Sequence, residues 1–390
     1  MSLSDKPFDI VVFGASGYTG RLVAEYLAAE YAGSDLKWAM AGRSLDKLAA
    51  VRAEMGISEA VELLAVDVDN PDSVTQMVDA CRVVITTVGP YQLYGDELVK
   101  QCAERGTDYV DLTGEPSWMH ETIAQYSSAA KASGARIVHS CGFDSIPFDL
   151  GVYRLQQHAI AKTGQPIAMV KGRVRAMNGT FSGGTIASMR ATMASAKANP
   201  AIIQVLTNPF ALTEGFTGPE QPAGMAPQYD EELKSWSAPF IMAPINTKNI
   251  HRSNFLLGHQ YGEDFRYDEM LLTGDGDQGK AAADYVAKDD SVAKSDLQPG
   301  EGPTKEEREN GNYDAIFAGE TQDGELMISS VQGDRDPGYG STSKMLAEAA
   351  MCLLVNPDLA SGGLWTPAAA MGHALMARLQ EHAGLTFKIE

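Results

Sequence analysis

The first 140 residues alternate short β-rich runs with amphipathic helical stretches, and this rhythm restricts the fold more than any other feature. The runs fall at 9–14 (DIVVFG), 36–42 (LKWAMAG), 61–66 (VELLAV), 82–88 (RVVITTV), 108–113 (DYVDLT) and 135–140 (ARIVHS). Helical patterns such as TGRLVAEYLAAEY and GDELVKQCAERG fill the gaps. Runs that are apolar on both faces need cover on both faces, which a parallel sheet between two helical layers supplies. The expected fold class is α/β, with a Rossmann-type doubly wound parallel sheet built from these six strands.

The rhythm changes after Pro147. A helix is expected at 150–162, a strand at 168–177, then the Gly/Ser segment 178–185 (NGTFSGGT) and a helix to about Lys197. Residues 199–250 are rich in proline and glycine and carry no clear period. Strands are expected at 265–273, 313–320 and 325–332, the last two joined by the hairpin signal QDG. Residues 288–312 read as a mobile surface loop, and 341–382 as two helices separated by NPDLASGGLWTP. The expected division is a dinucleotide-binding domain at 1–148, an α+β substrate and dimerisation domain at 149–336, and C-terminal helices at 337–390 that pack back on the first domain.

The first strand runs into VVFGASGYTG, where Gly14, Gly17 and Gly20 are spaced three apart and a helix follows. One glycine allows a tight turn with positive φ, a second lets backbone approach a pyrophosphate, and a third lets helix pack on strand. The helix amino end then offers unpaired N–H groups to the phosphates. An NAD site usually carries an acid after the second strand; this chain has Arg43 and Ser44 there, which suit a 2′-phosphate. NADP(H) is therefore expected, although Arg43 could instead stack on adenine or make a surface pair.

Other strand ends supply further candidates. Asp67 and Val68 follow the third strand where adenine usually lies, or form an ordinary helix cap. Val88, Gly89 and Pro90 follow the fourth, beside the expected nicotinamide ribose. Tyr91 then points near the reacting ring as a catalytic candidate, or is a packed aromatic in a rigid loop. SCGFDSIPFDLG ends the sixth strand and makes Cys141, Gly142, Phe143, Asp144 and Ser145 candidates for the cofactor or substrate cleft. Asp144 could donate a proton if burial raised its pKa, or cap the helix near Pro147. No histidine is placed by sequence to activate Cys141 as a nucleophile.

Composition removes several classes. A net charge of −20 in 390 residues disfavours nucleic acid and anionic membrane as partners. No apolar stretch reaches the roughly 18 residues of a membrane span, and the opening MSLSDKPFDIVVFG does not read as a secretory signal. The four cysteines and seven histidines show no metal-ligand spacing, so no metal is expected and the thiols read as reduced in a cytoplasmic protein.

GASGYTG, AGRS, VGPYQLYG, YVDLTGE and CGFDSIPFDLG together resemble the saccharopine dehydrogenase-like oxidoreductases. SGGTIASM (182–189), APFIMAPINTKNIHRSN, FRYDEM, GYGSTSKMLAEAAMCLL and GGLWTPAAAMG resemble the branch that contains the trans-acting enoyl reductases. The resemblance runs nearly end to end. It implies a Rossmann domain, a second domain that often dimerises, and NADP(H) held by Gly14, Ser16, Gly17, Tyr18, Thr19, Gly20, Arg43 and Ser44. It also implies reduction of the double bond of an apolar, acyl or lipid-type small molecule. An amino-acid or imine dehydrogenase and a non-catalytic NADPH-binding module are the alternatives. No cationic cluster suited to a saccharopine-like ligand is visible. Acyl carriers are acidic, so docking one on this chain would need a local basic surface.

Overall fold

The computed structural model describes residues 6–180, 183–298 and 300–390. Phe181 and Ser182 of the Gly/Ser segment, Pro299 of the expected surface loop, and residues 1–5 lie outside the described residues.

The first part of the chain follows the expected rhythm: β1 (Phe8–Phe13), α1 (Tyr18–Glu30), β2 (Trp38–Gly42), α2 (Leu45–Glu54), β3 (Glu62–Ala65), α3 (Pro71–Ala80), β4 (Cys81–Thr86), a short α4 (Tyr91–Tyr94), α5 (Asp96–Arg105), β5 (Asp108–Val110), α6 (Pro116–Ser133) and β6 (Arg136–Val138). α7 (Ile146–Thr163) leads to β7 (Met169–Asn178), α8 (Gly183–Ala198), α9 (Pro200–Thr207), β8 (Gln228–Asp230), β9 (Ser235–Pro239), α10 (Ala243–Leu256), β10 (Arg266–Gly274) and α11 (Gly276–Val286). Then come α12 (Ser291–Lys294), α13 (Lys305–Asn310), β11 (Asn312–Glu320), β12 (Leu326–Gly333), a π-turn at Pro337–Ser341, α14 (Thr342–Val355), β13 (Gly363–Trp365), α15 (Pro367–His382) and β14 (Leu385–Ile389).

The first sheet has the order β13-β6-β5-β4-β1-β2-β3 and is parallel throughout. Its strands are apolar on both faces for a visible reason. Ile10 and Val12 point into one core with Val23 and Leu27 of α1 and Leu346 and Leu353 of α14. Val11 and Phe13, one residue out of phase, point into the other with Val78, Leu98, Val99 and Ile123. Each such fully buried side chain contributes about 1.5–3 kcal/mol.

The second sheet has the order β14-β12-β11-β7-β10-β9-β8 and is mixed: β7 and β10 are parallel, all other neighbours antiparallel. α7 lies on β11 so closely that a Cβ on Gly151 would stand 2.0 Å from Phe317 Cε2.

Four features depart from the sequence reading. The first sheet has a seventh strand: GLW forms β13, pairing Leu364 with Ile137 and Trp365 with Val138. Three residues are too few for a period to show. β14 was likewise unexpected, although Leu385 and Phe387 are buried in alternation. The unassigned 199–250 region holds α9, β8, β9 and α10. α10 lacks a hydrophobic period because its polar side chains are buried and bonded: Asn246 to Glu269, Asn249 to Ser145, Arg252 to the carbonyls of Leu212 and Leu364, Ser253 to Asp149. Finally, 288–312 is not a featureless loop. It holds two short helices, the second opened by a reciprocal cap between Thr304 and Glu307, and it touches Tyr18.

The α7–β11 approach makes a direct prediction. Alanine in a helix interior normally gains about 1 kcal/mol over glycine. Gly151→Ala should instead destabilise by about 1–3 kcal/mol, because the Phe317 ring must move. Denaturant unfolding checks this; unchanged or raised stability would show that the ring yields freely.

Candidate functional site

β1 ends at Phe13 and the chain turns through Gly14 at φ +87°, a left-handed conformation that glycine adopts without strain. A Cβ there would stand 2.8 Å from Thr87 Oγ1 and from Val88 Cγ2. At Gly20 a Cβ would lie 2.1 Å from the Gly14 carbonyl oxygen, so α1 rests directly on the turn. Gly17 caps α1 with an exposed backbone, no side-chain cap and no acid in the first turn. Thr19 lies half-buried in that turn, and Ser16 Oγ lies 3.6 Å from the Cβ position of Gly42, at the end of β2. The open amides and the cradle without side chains fit a dinucleotide diphosphate. Tyr18 leans away from the sheet: its hydroxyl donates to the Pro303 carbonyl and accepts from Arg308 Nη1 at 3.0 Å.

Arg43, at the end of β2, is exposed and makes no hydrogen bond or ion pair among the described residues. A planar cation without a partner fits an added phosphate on the adenosine side. Ser44 Oγ accepts from Lys47 N at 3.3 Å and caps α2. Asp67 Oδ1 accepts from Asp69 N at 3.2 Å, which gives it a turn-forming role, and Val68 packs half-buried against the core.

At the nicotinamide end the two tyrosine readings separate. Tyr91 is 5% exposed, stacked on Trp118 at 5.4 Å, and its hydroxyl donates to the Thr86 carbonyl at 3.1 Å. Burial pushes its pKa well above the usual phenol range. These contacts are those of the packed-aromatic alternative: the hydroxyl is bonded inside the loop, and Tyr91 is not among the residues that line the cleft described below. The buried carboxylate of Glu115, which the sequence reading missed, accepts from Tyr91 N and Gln92 N at 2.9 Å each. The Gly89-Pro90 turn it supports is a cis peptide, and the Cβ position of Gly89 lies 3.8 Å from Ser188 Oγ of α8.

A second buried carboxylate arranges the ends of β5 and β6. Asp111 accepts from Thr113 N at 3.0 Å, Ser140 N at 2.8 Å and Tyr109 Oη at 2.9 Å, and pairs with His139 Nδ1 at 2.6 Å. Ser140 is thereby held at φ +61°, an uncommon conformation for a residue with a side chain. The turn directs Cys141 inward. Its thiol is fully buried, lies 3.5 Å from the Val138 carbonyl, and is pushed well above the usual thiol range by burial. It is not among the residues that line the cleft described below.

Gly142 and Asp144 do line a cleft between the two sheets, about 630 Å³ with its open mouth included. The wall continues through Met177 near the end of β7, Thr180 after it, Thr185 of α8, Phe240 to Met242 before α10, and Tyr339 and Thr342 of the π-turn and α14. Tyr339 and Thr342 fall in the stretch GYGSTSKMLAEAAMCLL, for which the sequence alone offers no role. Asp144 is the one carboxyl group in the lining, and no lysine or arginine joins it. It makes no hydrogen bond or ion pair among the described residues, and Ser145, not Asp144, stands at the N-cap of α7. Desolvation pushes its pKa up to about 7. Tyr339 packs edge-to-face on Tyr18 at 5.2 Å, so cleft and glycine turn share a wall.

Residues 10–138 match the family model of the saccharopine dehydrogenase NADP-binding domain. The chain is 39% identical to a protein of Mycobacterium tuberculosis provisionally named trans-acting enoyl reductase, covering 97% of each chain. It is 34% identical to the trans-acting enoyl reductase of Mycobacterium bovis, again with 97% of each covered. Saccharopine dehydrogenase (L-Glu forming) of Saccharomyces cerevisiae shares the fold at a TM-score of 0.55 and 12% identity, over 98% of this chain and 100% of that one. With a turn shaped for a diphosphate and a free cation after β2, the chain belongs to the saccharopine dehydrogenase-like family of NADP-dependent oxidoreductases, in the branch of the trans-acting enoyl reductases.

Proposed function

We propose that this chain reduces the carbon–carbon double bond of an acyl or lipid-type enoyl substrate, and that Asp144 supplies the proton. One observation carries the reading: an apolar cleft at the carboxyl ends of β5 and β6 contains a single carboxylic acid, unpaired and poised near neutrality. The names of the relatives support the same reaction.

Bound NADPH supplies a hydride to the electron-poor β-carbon. Phe143, Phe240 and Met242 then hold the acyl chain and exclude water. The protonated Asp144 gives its proton to the α-carbon of the resulting enolate and is reprotonated from solvent at the cleft mouth. Thr180 and Thr185 carry the hydroxyls that can donate to a carbonyl oxygen as charge develops there, while the Thr342 hydroxyl is already given to the Pro337 carbonyl. An amino-acid or imine substrate is the weaker reading, because it brings a carboxylate and no cation lines the cleft to receive one. In this reading, residues 1–148 bind the cofactor, 149–336 the substrate and a second copy of the chain, and 337–390 tie the two together. The homodimer of this reading rests on the resemblance to a family whose second domain often dimerises. The four free, buried cysteines support a cytoplasmic setting.

Four outcomes test these statements. Medium-chain 2-enoyl thioesters should drive steady NADPH oxidation, while saccharopine, or lysine with 2-oxo acids, should not; tight NADPH binding with no turnover of any of these would leave only a binding module. Because the donor is the protonated form, the rate should fall as pH rises through about 7. Asp144→Asn should lower kcat about 10²–10⁴-fold and flatten that limb of the profile. If the variant keeps the wild-type profile, another group is the donor. Arg43→Glu should reverse the preference for NADPH over NADH, read from the two dissociation constants; an unreversed preference would remove Arg43 from cofactor selection.

A further inference from the structure

The diphosphate cradle at α1 meets two negative charges with backbone alone. Arg21, the nearest cation on α1, turns to Glu54 at 3.6 Å. The second sheet's side of the molecule provides another. Residues 300–308 cross to the amino end of α1, where Gly302 lies against the Tyr18 ring and the Pro303 carbonyl accepts the Tyr18 hydroxyl proton. Arg308 Nη1 donates to that hydroxyl at 3.0 Å and to the Pro303 carbonyl at 2.9 Å. Its guanidinium lies 5.8 Å from the centre of the ring that begins α1.

We propose that Arg308 is the cationic partner of the cofactor's diphosphate and that Tyr18 anchors it there. Three facts support this. Nε and Nη2 of Arg308 have no partner among the described residues, so the fork keeps donors for a bidentate contact with phosphate oxygens. The acids nearby are otherwise engaged. Asp336 accepts from Tyr339 N at 3.1 Å and from Gly340 N, and Glu307 is tied into the Thr304 cap. None of them pairs with Arg308 among the described residues. The segment is also held in place from both sides: Gly183 N donates to the Glu301 carbonyl at 3.1 Å, and Asp336 N donates to the Arg308 carbonyl at 3.0 Å. The cofactor would thus be gripped from both halves of the chain, and its arrival would fasten the second half over the first.

The diphosphate is common to NADPH and NADH, whereas the 2′-phosphate is not, and this separates Arg308 from Arg43. Both nucleotides are titrated into each purified variant by fluorescence or calorimetry. Arg308→Gln should raise both dissociation constants by the same factor, about tenfold for a lost charge-assisted contact. Arg308→Lys should recover part of the loss, and Tyr18→Phe should raise both constants by a smaller common factor. Arg43→Gln should weaken NADPH alone. Saturating NADP⁺ should also slow tryptic cutting of the wild-type chain at the exposed Lys305. Unchanged constants in Arg308→Gln, or a loss confined to NADPH, would overturn the assignment; so would tryptic cutting that NADP⁺ does not slow. Wild-type binding of NADPH with normal Arg43 dependence would then leave the cofactor reading intact.

Discussion

The site depends on one close approach, the contact of the first helix with the turn beneath it. A methyl group at Gly20 would overlap the Gly14 carbonyl, and a methyl at Gly14 would strike the side chains that follow β4. Removing both lets three backbone segments meet at the carboxyl edge of the sheet. The result is a helix end with open amides, at the position where the fourth strand delivers the Gly89-Pro90 turn. Everything chemical in the chain is arranged around that edge, and the second sheet contributes the opposite wall.

Two buried carboxylates keep the edge rigid. Asp111 gathers backbone and side-chain donors from β5, β6 and the loop after them, and so holds Ser140 in its unusual conformation. Glu115 does the same for the start of α4. Neither reaches the cleft. Asp111 sets the turn that leads to Gly142 and Asp144, Glu115 sets the start of α4, and Asp144 is the one acid among the described residues that line the cleft. Asp144 has no such donors among the described residues, and desolvation raises its pKa.

The Rossmann half was legible because its signals are local. Six runs of alternating strand and helix, a glycine-spaced turn and an arginine after β2 are each written within a few neighbouring residues. What could not be read was written across distance. β13 is three residues whose pairing partner lies more than two hundred positions earlier. α10 is a buried helix built on side-chain hydrogen bonds, so hydrophobic periodicity was blind to it. Tyr91 looked like a catalytic group because it follows the right strand; only the packing of Trp118 and the carbonyl of Thr86 decide that it serves the loop. Asp144 was legible as a candidate, yet its lack of partners is a property of the surrounding fold.

The last strands of the chain carry a consequence for its synthesis. β13 closes one edge of the first sheet and β14 one edge of the second. As the polypeptide leaves the ribosome, β6 therefore waits with an open row of amides and carbonyls until β13 appears, and β12 until β14 does. Open rows of that kind invite pairing with other chains. A nascent molecule is thus at greatest risk of misassociation between the emergence of β12 and that of β13 and β14, and a chaperone that shields strand edges would act on it in that interval.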